Sequence, residues 1–323
     1  MKVDDSRLER IVTAAAAAPS VHNTQPWDVQ LGRDRMMIHA DTSRQLRHVD
    51  PLGREMLISC GAFLFNVRVA ARRESLVAVP LILPHPGDPL LVATVLFKPG
   101  VDPDIDELDL AVAIKRRTTS RAPFDDEPLD TDVLLELEVA ARSDGGSLRL
   151  IHPTDPARPA VIQLMRRAEA LAAEDAVAAE EESAWVSRTP ERHDGIPEEM
   201  LSSTSQDEQA PVRHFSAGAP RSEFEHRSTL AVLLTPGDEP HDWISAGQAL
   251  ERLLLVATTY FVRASFATTV LENPTTRHDL ARTLDLVGHP QMLMRLGYTT
   301  EQQHTPRRTI QEITSPRPGP PTV

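Results

Sequence analysis

An internal repeat at an offset of 186 residues most constrains how this chain can fold. The four residues Ile58-Ser59-Cys60-Gly61 recur as Ile244-Ser245-Ala246-Gly247. At the same offset the matched apolar pairs are Leu64 and Leu250, Val67 and Leu253, Val69 and Leu255, and Ala71 and Ala257. Chance agreement of two amphipathic helices is the alternative, but the order of strands and helices around both copies also agrees. We therefore interpret the repeat as a duplication, which predicts two similar halves with one core and a pseudo-two-fold axis.

The periodicity of apolar residues predicts an alternation of helices and strands. Helices are expected at 4–18, 51–73, 102–117, 130–142, 156–184, 241–260 and 276–286, and strands at 23–31, 36–40, 77–83, 91–97, 147–152, 229–234 and 292–298. Periodicity fails over 187–227, a stretch rich in Ser, Pro, Glu and His that is either disordered or a functional lid. We expect halves over 1–112 and 113–316 and a disordered Pro-rich tail over 317–323.

Charge and cysteine content exclude several functions. The 323 residues carry 34 Lys plus Arg against 47 Asp plus Glu, a formal net charge of −13, so nucleic acid and anionic membrane surfaces are poor partners. Cys60 is the only cysteine, which excludes an intrachain disulfide and thiolate zinc sites. No apolar run approaches 18 residues and no signal-peptide pattern opens the sequence, so we expect a cytoplasmic protein.

Two polar segments are the candidates for chemistry, because dinucleotide-binding, P-loop and zinc-hydrolase motifs are all missing from the sequence. The first, 19–27, reads Pro-Ser-Val-His-Asn-Thr-Gln-Pro-Trp; residue by residue it could equally be a capping turn with a core tryptophan. The second, 117–121, reads Arg-Thr-Thr-Ser-Arg and suits an anion such as a terminal phosphate. Taken alone, the second segment is more typical of a solvated basic helix end.

Together the two segments resemble the nitroreductase-like flavoprotein family. In that family a Pro-Ser-x-x-Asn-x-Gln-Pro-Trp segment and an Arg-x-Ser-x-Arg/Lys segment enclose one FMN, and a basic pair near the C-terminus grips its phosphate. Pro19, Ser20, Asn23, Gln25, Pro26 and Trp27 match the first segment; Arg117, Thr119 and Arg121 match the second, with Thr in place of Ser; Arg307 and Arg308 fit the basic pair. The resemblance covers roughly residues 5 to 312.

The fused halves, the His22-Asn23-Thr24 variant and the long insertion look like the Acg-type subfamily. The resemblance implies an α+β fold, duplicated within one chain as a pseudo-dimer, with antiparallel or mixed sheets flanked by helices. The first half lacks the Arg-x-Ser-x-Arg segment and the second half lacks the Pro-Ser segment. One FMN site should therefore survive, complete within a monomer. Arg117, Thr119, Arg121, Arg307 and Arg308 would hold the phosphate, and Ser20, His22, Asn23, Thr24 and Gln25 would contact the ribityl chain or ring edge.

Two functions follow from the resemblance. One is an FMN-dependent NAD(P)H oxidoreductase of the nitroreductase type, in which hydride passes through flavin N5 to a small electron-poor acceptor; no protein acid or base is required. The other is a protein that sequesters FMN beneath a closed lid. The composition of 187–227 favours a mobile lid, although Trp185 and Phe215 could pin it across the flavin, and this leads us to prefer the oxidoreductase.

Overall fold

The computed structural model describes residues 3–189, 191–201 and 228–315. Its helices are α1 Asp5–Ala15, α2 Arg54–Arg73, α3 Ile105–Arg116, α4 Thr131–Ser143, α5 Arg158–Glu174, α6 Ala176–Ser183, α7 Pro240–Thr259, α8 Thr269–Glu272, α9 Pro274–Thr283 and α10 Ile310–Ile313. Its strands are β1 Trp27–Leu31, β2 Arg35–Ala40, β3 Leu76–Ile82, β4 Leu91–Pro99, β5 Ser147–Ile151, β6 Val186–Ser187, β7 Ile196–Pro197, β8 Thr229–Thr235, β9 Val262–Phe266 and β10 His289–Tyr298. The predicted α+β class is confirmed.

Each half contributes one antiparallel four-stranded sheet in the part of the chain that the structure describes. The strand orders are β1-β2-β4-β3 and β5-β8-β10-β9. If the four strands of each sheet are numbered in the order in which they occur along the chain, both sheets have the spatial order first, second, fourth, third. A helix comes before the first strand of each sheet and a 20-residue helix joins the second strand to the third. The two halves share one topology, as the repeat predicts.

The repeat is kept residue by residue through the central helices and the strands that follow. Helices α2 and α7 have the same length, and both their ends differ by the offset of 186. Ser75 and Phe261, one offset apart, both adopt the left-handed backbone, with φ of 54° and 61°, before β3 and β9 begin. Such a conformation is uncommon for residues other than glycine. Its recurrence at the offset shows that the two halves make the same turn.

Helices α2 and α7 pack against each other at a pair of glycines. A Cβ atom added to Gly61 would lie 2.2 Å from the carbonyl oxygen of Ile244, and one added to Gly247 would lie 2.0 Å from that of Ile58. The contact is isologous, because each glycine meets the same part of the other copy. The repeated Ile-Ser-x-Gly sequence is therefore the point where the two backbones approach most closely.

The halves share a core instead of forming separate domains. One cluster of buried apolar side chains runs from Leu8 and Trp27 through Leu64 and Leu250 to Leu296. Residues 112 and 113, where the sequence analysis divides the halves, both lie inside α3. Helix α3 packs against the last turns of α2 and α7, with Ala111 and Ile114 in a cluster with Phe65 and Leu255.

Three expectations about the elements need correction. The helix predicted at 156–184 is broken at Asp175, whose carboxylate accepts hydrogen bonds from the N–H groups of Val177 and Ala178 and so caps α6. Strand β9 was not predicted. The segment 187–201 was expected to be irregular, but it contains the last residue of β6 and all of β7. These two short strands pair in parallel. Residues 202–227, including Phe215, and the tail 317–323 lie outside the described residues.

Candidate functional site

Arginines from three parts of the chain are brought together beside β9. Arg117 directly follows α3, and the chain then runs along β9, where Thr119 bridges to Ala264 and the N–H of Ser120 donates to the Ala264 carbonyl at 2.8 Å. This pairing places the 117–121 segment next to Arg263 of β9. The third part is the C-terminal segment that carries Arg307. We call Arg117, Arg121, Arg263 and Arg307 the arginine cluster.

The guanidinium groups of Arg117 and Arg307 converge on one backbone carbonyl. Both donate to the oxygen of Ala17, at 3.0 and 3.2 Å, just beyond the end of α1. Nη1 of Arg117 also lies 3.4 Å from the hydroxyl of Thr119. The cluster therefore spans the first half, the end of α3 and the C-terminal segment. This geometry agrees with the predicted grouping of Arg117, Thr119, Arg121 and Arg307.

The cluster holds more buried donors than acceptors. Arg117 and Arg263 are 6% and 4% exposed. Within the described residues, Nε of Arg117, Nε and Nη1 of Arg263 and Nε of Arg307 are buried without a hydrogen-bond partner. Glu251 of α7, completely buried, lies 3.7 Å from Nε of Arg117 and is the carboxylate that forms an ion pair with the cluster in the described part of the chain. Buried donors left this way are costly unless an acceptor joins them.

Burial and mutual repulsion shift the titration of the whole cluster. Burial lowers the pKa of Arg117, although Glu251 opposes this effect. Burial together with the charge of Arg117 lowers the pKa of Arg121 to about 10 and that of Arg307 to about 9. The same two causes lower the pKa of Arg263. A bound anion would relieve this repulsion and supply the missing acceptors, and phosphate suits several guanidinium groups at once.

The loop between α1 and β1 has an unusual backbone. His22, Asn23 and Gln25 have φ of 45°, 55° and 51°, all in the left-handed region. The hydroxyl of Ser20 accepts a hydrogen bond from the N–H of Gln25 at 2.9 Å and closes the turn, while Thr24 is completely buried. Left-handed residues other than glycine persist only where surrounding contacts hold them, and they concentrate at functional sites. His22 lies 4.0 Å from the carboxylate of Glu182.

Asn23 and Gln25 bind other parts of the protein with their side-chain amides. Asn23 donates to the carbonyls of Gly195 at 2.8 Å and Pro306 at 3.0 Å, and its oxygen accepts from Arg307 at 2.9 Å. Gln25 donates to the carbonyl of His193 at 2.9 Å and accepts from the N–H of Arg308 at 2.8 Å. These side chains join the loop, the C-terminal segment and the insertion.

Arg308 does not lie with the arginine cluster. Its guanidinium donates to the carbonyls of Gln25 at 3.0 Å and Trp27 at 3.3 Å. Arg307 instead meets Arg117 at the Ala17 carbonyl and also donates to Asn23 of the loop. The expectation that both arginines contact a phosphate therefore needs revision. Arg308 holds the loop that carries Gln25.

The described part of the insertion is anchored to the loop. We call residues 185–189 and 191–201 the arm. The carboxylate of Asp194 pairs with Arg44 at 2.6 Å, and the guanidinium groups of Arg44 and Arg192 lie 5.9 and 5.2 Å from the ring centre of Trp185. The N–H of Gly195 also donates to the carbonyl of Asn23 at 3.1 Å. Ionic, cation–π and backbone contacts thus attach the arm to the loop, with Trp185 among the side chains involved.

Sequence reasoning missed Arg263, Glu251 and His304. The pKa of His304 is lowered by burial and by the charges of Arg117, Arg307 and Arg263, so this imidazole belongs to the same neighbourhood. The offset of 186 carries a usable signal for Arg263, because it maps β3 onto β9. No comparable signal marks Glu251, whose counterpart at the same offset is Phe65.

Two kinds of feature, a metal-holding cluster and a membrane-spanning helix, are not found among the described residues. No group of His, Cys, Asp or Glu side chains within the described ranges could hold a metal ion. No described helix combines the length and the apolar character needed to cross a membrane.

No family model matches the sequence, but individual proteins do. Acg of Mycobacterium tuberculosis H37Rv, whose name assigns it to the NAD(P)H nitroreductases, is 31% identical over 315 residues, covering 95% of this chain and 94% of Acg. A second protein of that strain, also named for the NAD(P)H nitroreductases, is 29% identical and covers 96% of this chain and 91% of its own length.

One solved structure matches the fold over most of the chain. The crystal structure of an Anabaena variabilis protein described as a nitroreductase matches with a TM-score of 0.51 at 12% identity, covering 92% of this chain and 90% of that chain. A nitroreductase of Desulfitobacterium hafniense with bound FMN matches 65% of this chain and 98% of its own, with 12% identity and a TM-score of 0.42. On its full-length identity to Acg, this chain belongs to the nitroreductase-like family of which Acg is a member.

Proposed function

We propose that this protein is an FMN-dependent NAD(P)H oxidoreductase of the nitroreductase type. The observation that carries the proposal is the arginine cluster, in which several guanidinium groups are buried beside the Glu251 carboxylate. The unpartnered donors of Arg117, Arg263 and Arg307 suit the terminal phosphate of FMN, which offers three acceptor oxygens. Membership of the Acg family supports the same cofactor and a nicotinamide substrate.

The residues divide into those that bind the cofactor and those that shape its site. Arg117, Thr119, Arg121, Arg263 and Arg307 hold the phosphate. Ser20, His22 and Thr24 form the loop that lines the ribityl chain. Asn23 and Gln25 do not contact the cofactor in this proposal. Their side-chain hydrogen bonds hold the loop against the arm and the C-terminal segment.

FMN held at this site would supply the redox chemistry, which is hydride transfer from a reduced nicotinamide to a small electron-poor acceptor. The protein orients the cofactor through the arginine cluster and excludes water where the arm covers the loop. No side chain needs to act as an acid or a base. The Ser20 to Gln25 loop and the arginine cluster lie in the same chain and share its core, which supports our proposal that one chain forms a complete site.

The anchored arm favours a second candidate function, sequestration of FMN. The arm is tied to the loop at Asn23, Gln25 and Arg44, and these contacts could keep nicotinamide away from the flavin. An oxidoreductase requires that the arm, or the segment that follows it in the sequence, leaves a path for nicotinamide. The two functions therefore differ in access to the flavin and share the same cofactor site.

Anaerobic addition of NADPH, and separately NADH, to the flavin-loaded protein tests the proposal. We expect the flavin absorbance to bleach and to return when a nitroaromatic or a quinone is added. Free FMN at the same concentration is the control for reduction without the protein. Persistent yellow colour with both nicotinamides, together with reduction by dithionite, would reject the oxidoreductase and support sequestration.

A further inference from the structure

Glu251 is a carboxylic acid in the middle of the central helix pair. Its side chain is completely buried in α7, and its oxygen lies 3.7 Å from Nε of Arg117. Burying a carboxylate is expensive, so such a group needs a partner or a purpose. Packing alone therefore does not explain why an acid occupies this buried position.

The internal repeat provides a comparison within the same molecule. At the offset of 186, Glu251 corresponds to Phe65 of α2. Phe65 is also buried, and the guanidinium groups of Arg68 and Arg252 lie 5.4 and 4.8 Å from its ring centre. In the first half, the corresponding helix position is therefore occupied by a buried apolar side chain. The acid occurs in the copy that meets the arginine cluster, which connects it to the cluster and not to helix packing.

Three groups on neighbouring elements lower the pKa of the Glu251 carboxyl. They are Asn66 on α2, Arg117 after α3 and Arg307 on the C-terminal segment. Burial raises the pKa of Glu251 to about 7, although all three of these neighbours act to lower it. The carboxyl can therefore exchange a proton near neutral pH when the charge around the arginines changes.

We infer that Glu251 is a positioning residue that holds Arg117 in the arginine cluster and takes up a proton when the phosphate of FMN binds there. This inference rests on the proposed function. An incoming phosphate competes for the guanidinium that stabilises the Glu251 carboxylate and adds negative charge nearby. Both effects favour the neutral acid, so binding is coupled to protonation. With FMN bound, Arg117 turns from the carboxyl to the phosphate without leaving a buried negative charge behind.

The sign of the coupling fixes the expected pH dependence. Because FMN binding raises the pKa of Glu251 above its free value of about 7, the affinity for FMN falls as pH rises above that value. One coupled proton limits the fall to about tenfold per pH unit. The phosphate itself titrates near pH 6, and Arg307 and Arg121 titrate at about 9 and 10. His304 faces the same arginines, whose charges together with burial lower its pKa, so a bound phosphate acts on this imidazole as well. In the window between about pH 7 and 9, the Glu251→Gln variant separates the proton of Glu251 from that of His304.

Calorimetric titration of the apoprotein with FMN tests the inference. Measurements at about pH 8 in two buffers of different ionisation enthalpy give the number of protons bound. We expect the wild type to take up most of one proton with FMN and close to none with riboflavin, which lacks the phosphate. Glu251→Gln should lose this uptake and give an FMN affinity that is nearly independent of pH in the same window. Asp144→Asn removes a buried carboxylate that pairs with Arg68 and Arg252, and should keep the wild-type uptake.

The outcomes separate the inference from the proposed function. If FMN binds tightly without proton uptake, or if Glu251→Gln takes up as many protons as the wild type, the inference is wrong and the cofactor assignment stands. If the wild type does not bind FMN, the proposed function and the inference both fail. The wild-type comparison of FMN with riboflavin does not depend on any variant folding.

Discussion

At the scale of single residues, the site is defined by cations that the fold has removed from water. Arg117 and Arg263 are almost completely buried, and each retains a guanidinium N–H without an acceptor in the described structure. These arginines are charged at neutral pH, so burying their guanidinium groups together is unfavourable until an anion binds. Under the proposed function, the folded protein presents these donors to the phosphate before the cofactor binds.

We expect Arg117→Ala and Arg263→Ala to weaken FMN binding. Each removes charge-assisted hydrogen bonds worth about 1.5–3 kcal/mol, which corresponds to about 10- to 150-fold in Kd. Arg121→Ala should act in the same direction. Quenching of flavin fluorescence measures the affinity, and riboflavin affinity should hardly change.

The matched control for the arginine variants is Arg142→Ala. Arg142 lies in the last turn of α4, with 60% of its side chain exposed, and pairs with Glu138. FMN affinity of this variant should equal that of the wild type. Normal FMN affinity in both Arg117→Ala and Arg263→Ala would show that the cluster does not bind the phosphate.

At the scale of elements, the glycine contact sets the distance between α2 and α7. We expect Gly247→Ala to cost about 2 kcal/mol or more of unfolding free energy, because its methyl group would meet the Ile58 carbonyl oxygen at 2.0 Å. This cost exceeds the gain of about 1 kcal/mol from the higher helix propensity of alanine. Urea unfolding measures the difference.

Two further glycines sharpen the test of the helix contact. Gly61→Ala should cost a similar amount, because the contact is isologous and its methyl group would lie 2.2 Å from the Ile244 carbonyl oxygen. Gly87→Ala, where nothing lies within 4 Å of the added methyl group, should stay within about 0.5 kcal/mol of the wild type. Equal stability of all three variants would contradict the close helix contact.

The arm is a second element whose attachment can be tested. Burial alone would raise the pKa of Asp194, but hydrogen bonds from Arg44 and Arg192 outweigh it and lower the pKa. Asp194→Asn weakens both ion pairs, so we expect faster hydrogen exchange at the N–H groups of Gly195 and Ile196, which bond to Asn23 and Trp185.

Glu198→Gln is the matched control within the arm. Glu198 pairs with Arg188 at the surface, where both side chains are more than half exposed, and such pairs contribute little. Exchange at Gly195 and Ile196 should then match the wild type. An unchanged exchange rate in Asp194→Asn would mean that the ion pairs do not hold the arm.

The elements also show what the sequence could and could not predict. The offset of 186 located the central helices, since Gly61 and Gly247 do meet, and extended to β9 it would have located Arg263 as well. Glu251 was not predicted as a site residue because an acid within a helix is typical of an exposed position. Its burial beside Arg117 depends on how a different part of the chain packs against α7. Arg308 was grouped with Arg307 because adjacency in sequence does not reveal which partners each side chain contacts.

At the scale of the whole molecule, two halves of the same topology contribute to one proposed FMN site. The loop at Ser20 to Gln25 lies in the first half, whereas Arg117, Arg263 and Arg307 belong to the second. The shared core fixes these parts relative to each other within one chain. A homodimer of single halves would present two equivalent sites, and its cofactor would be lost when the subunits dissociate. This chain should keep its cofactor on dilution.

Titration of the apoprotein with FMN, followed by flavin fluorescence and checked by mass spectrometry of the bound cofactor, tests the central claim most directly. We predict one FMN per chain, an affinity at least about tenfold higher than for riboflavin, and a stoichiometry that does not change with protein concentration. Two FMN per chain, equal affinity for riboflavin, or a preference for FAD would contradict a single site built on the arginine cluster.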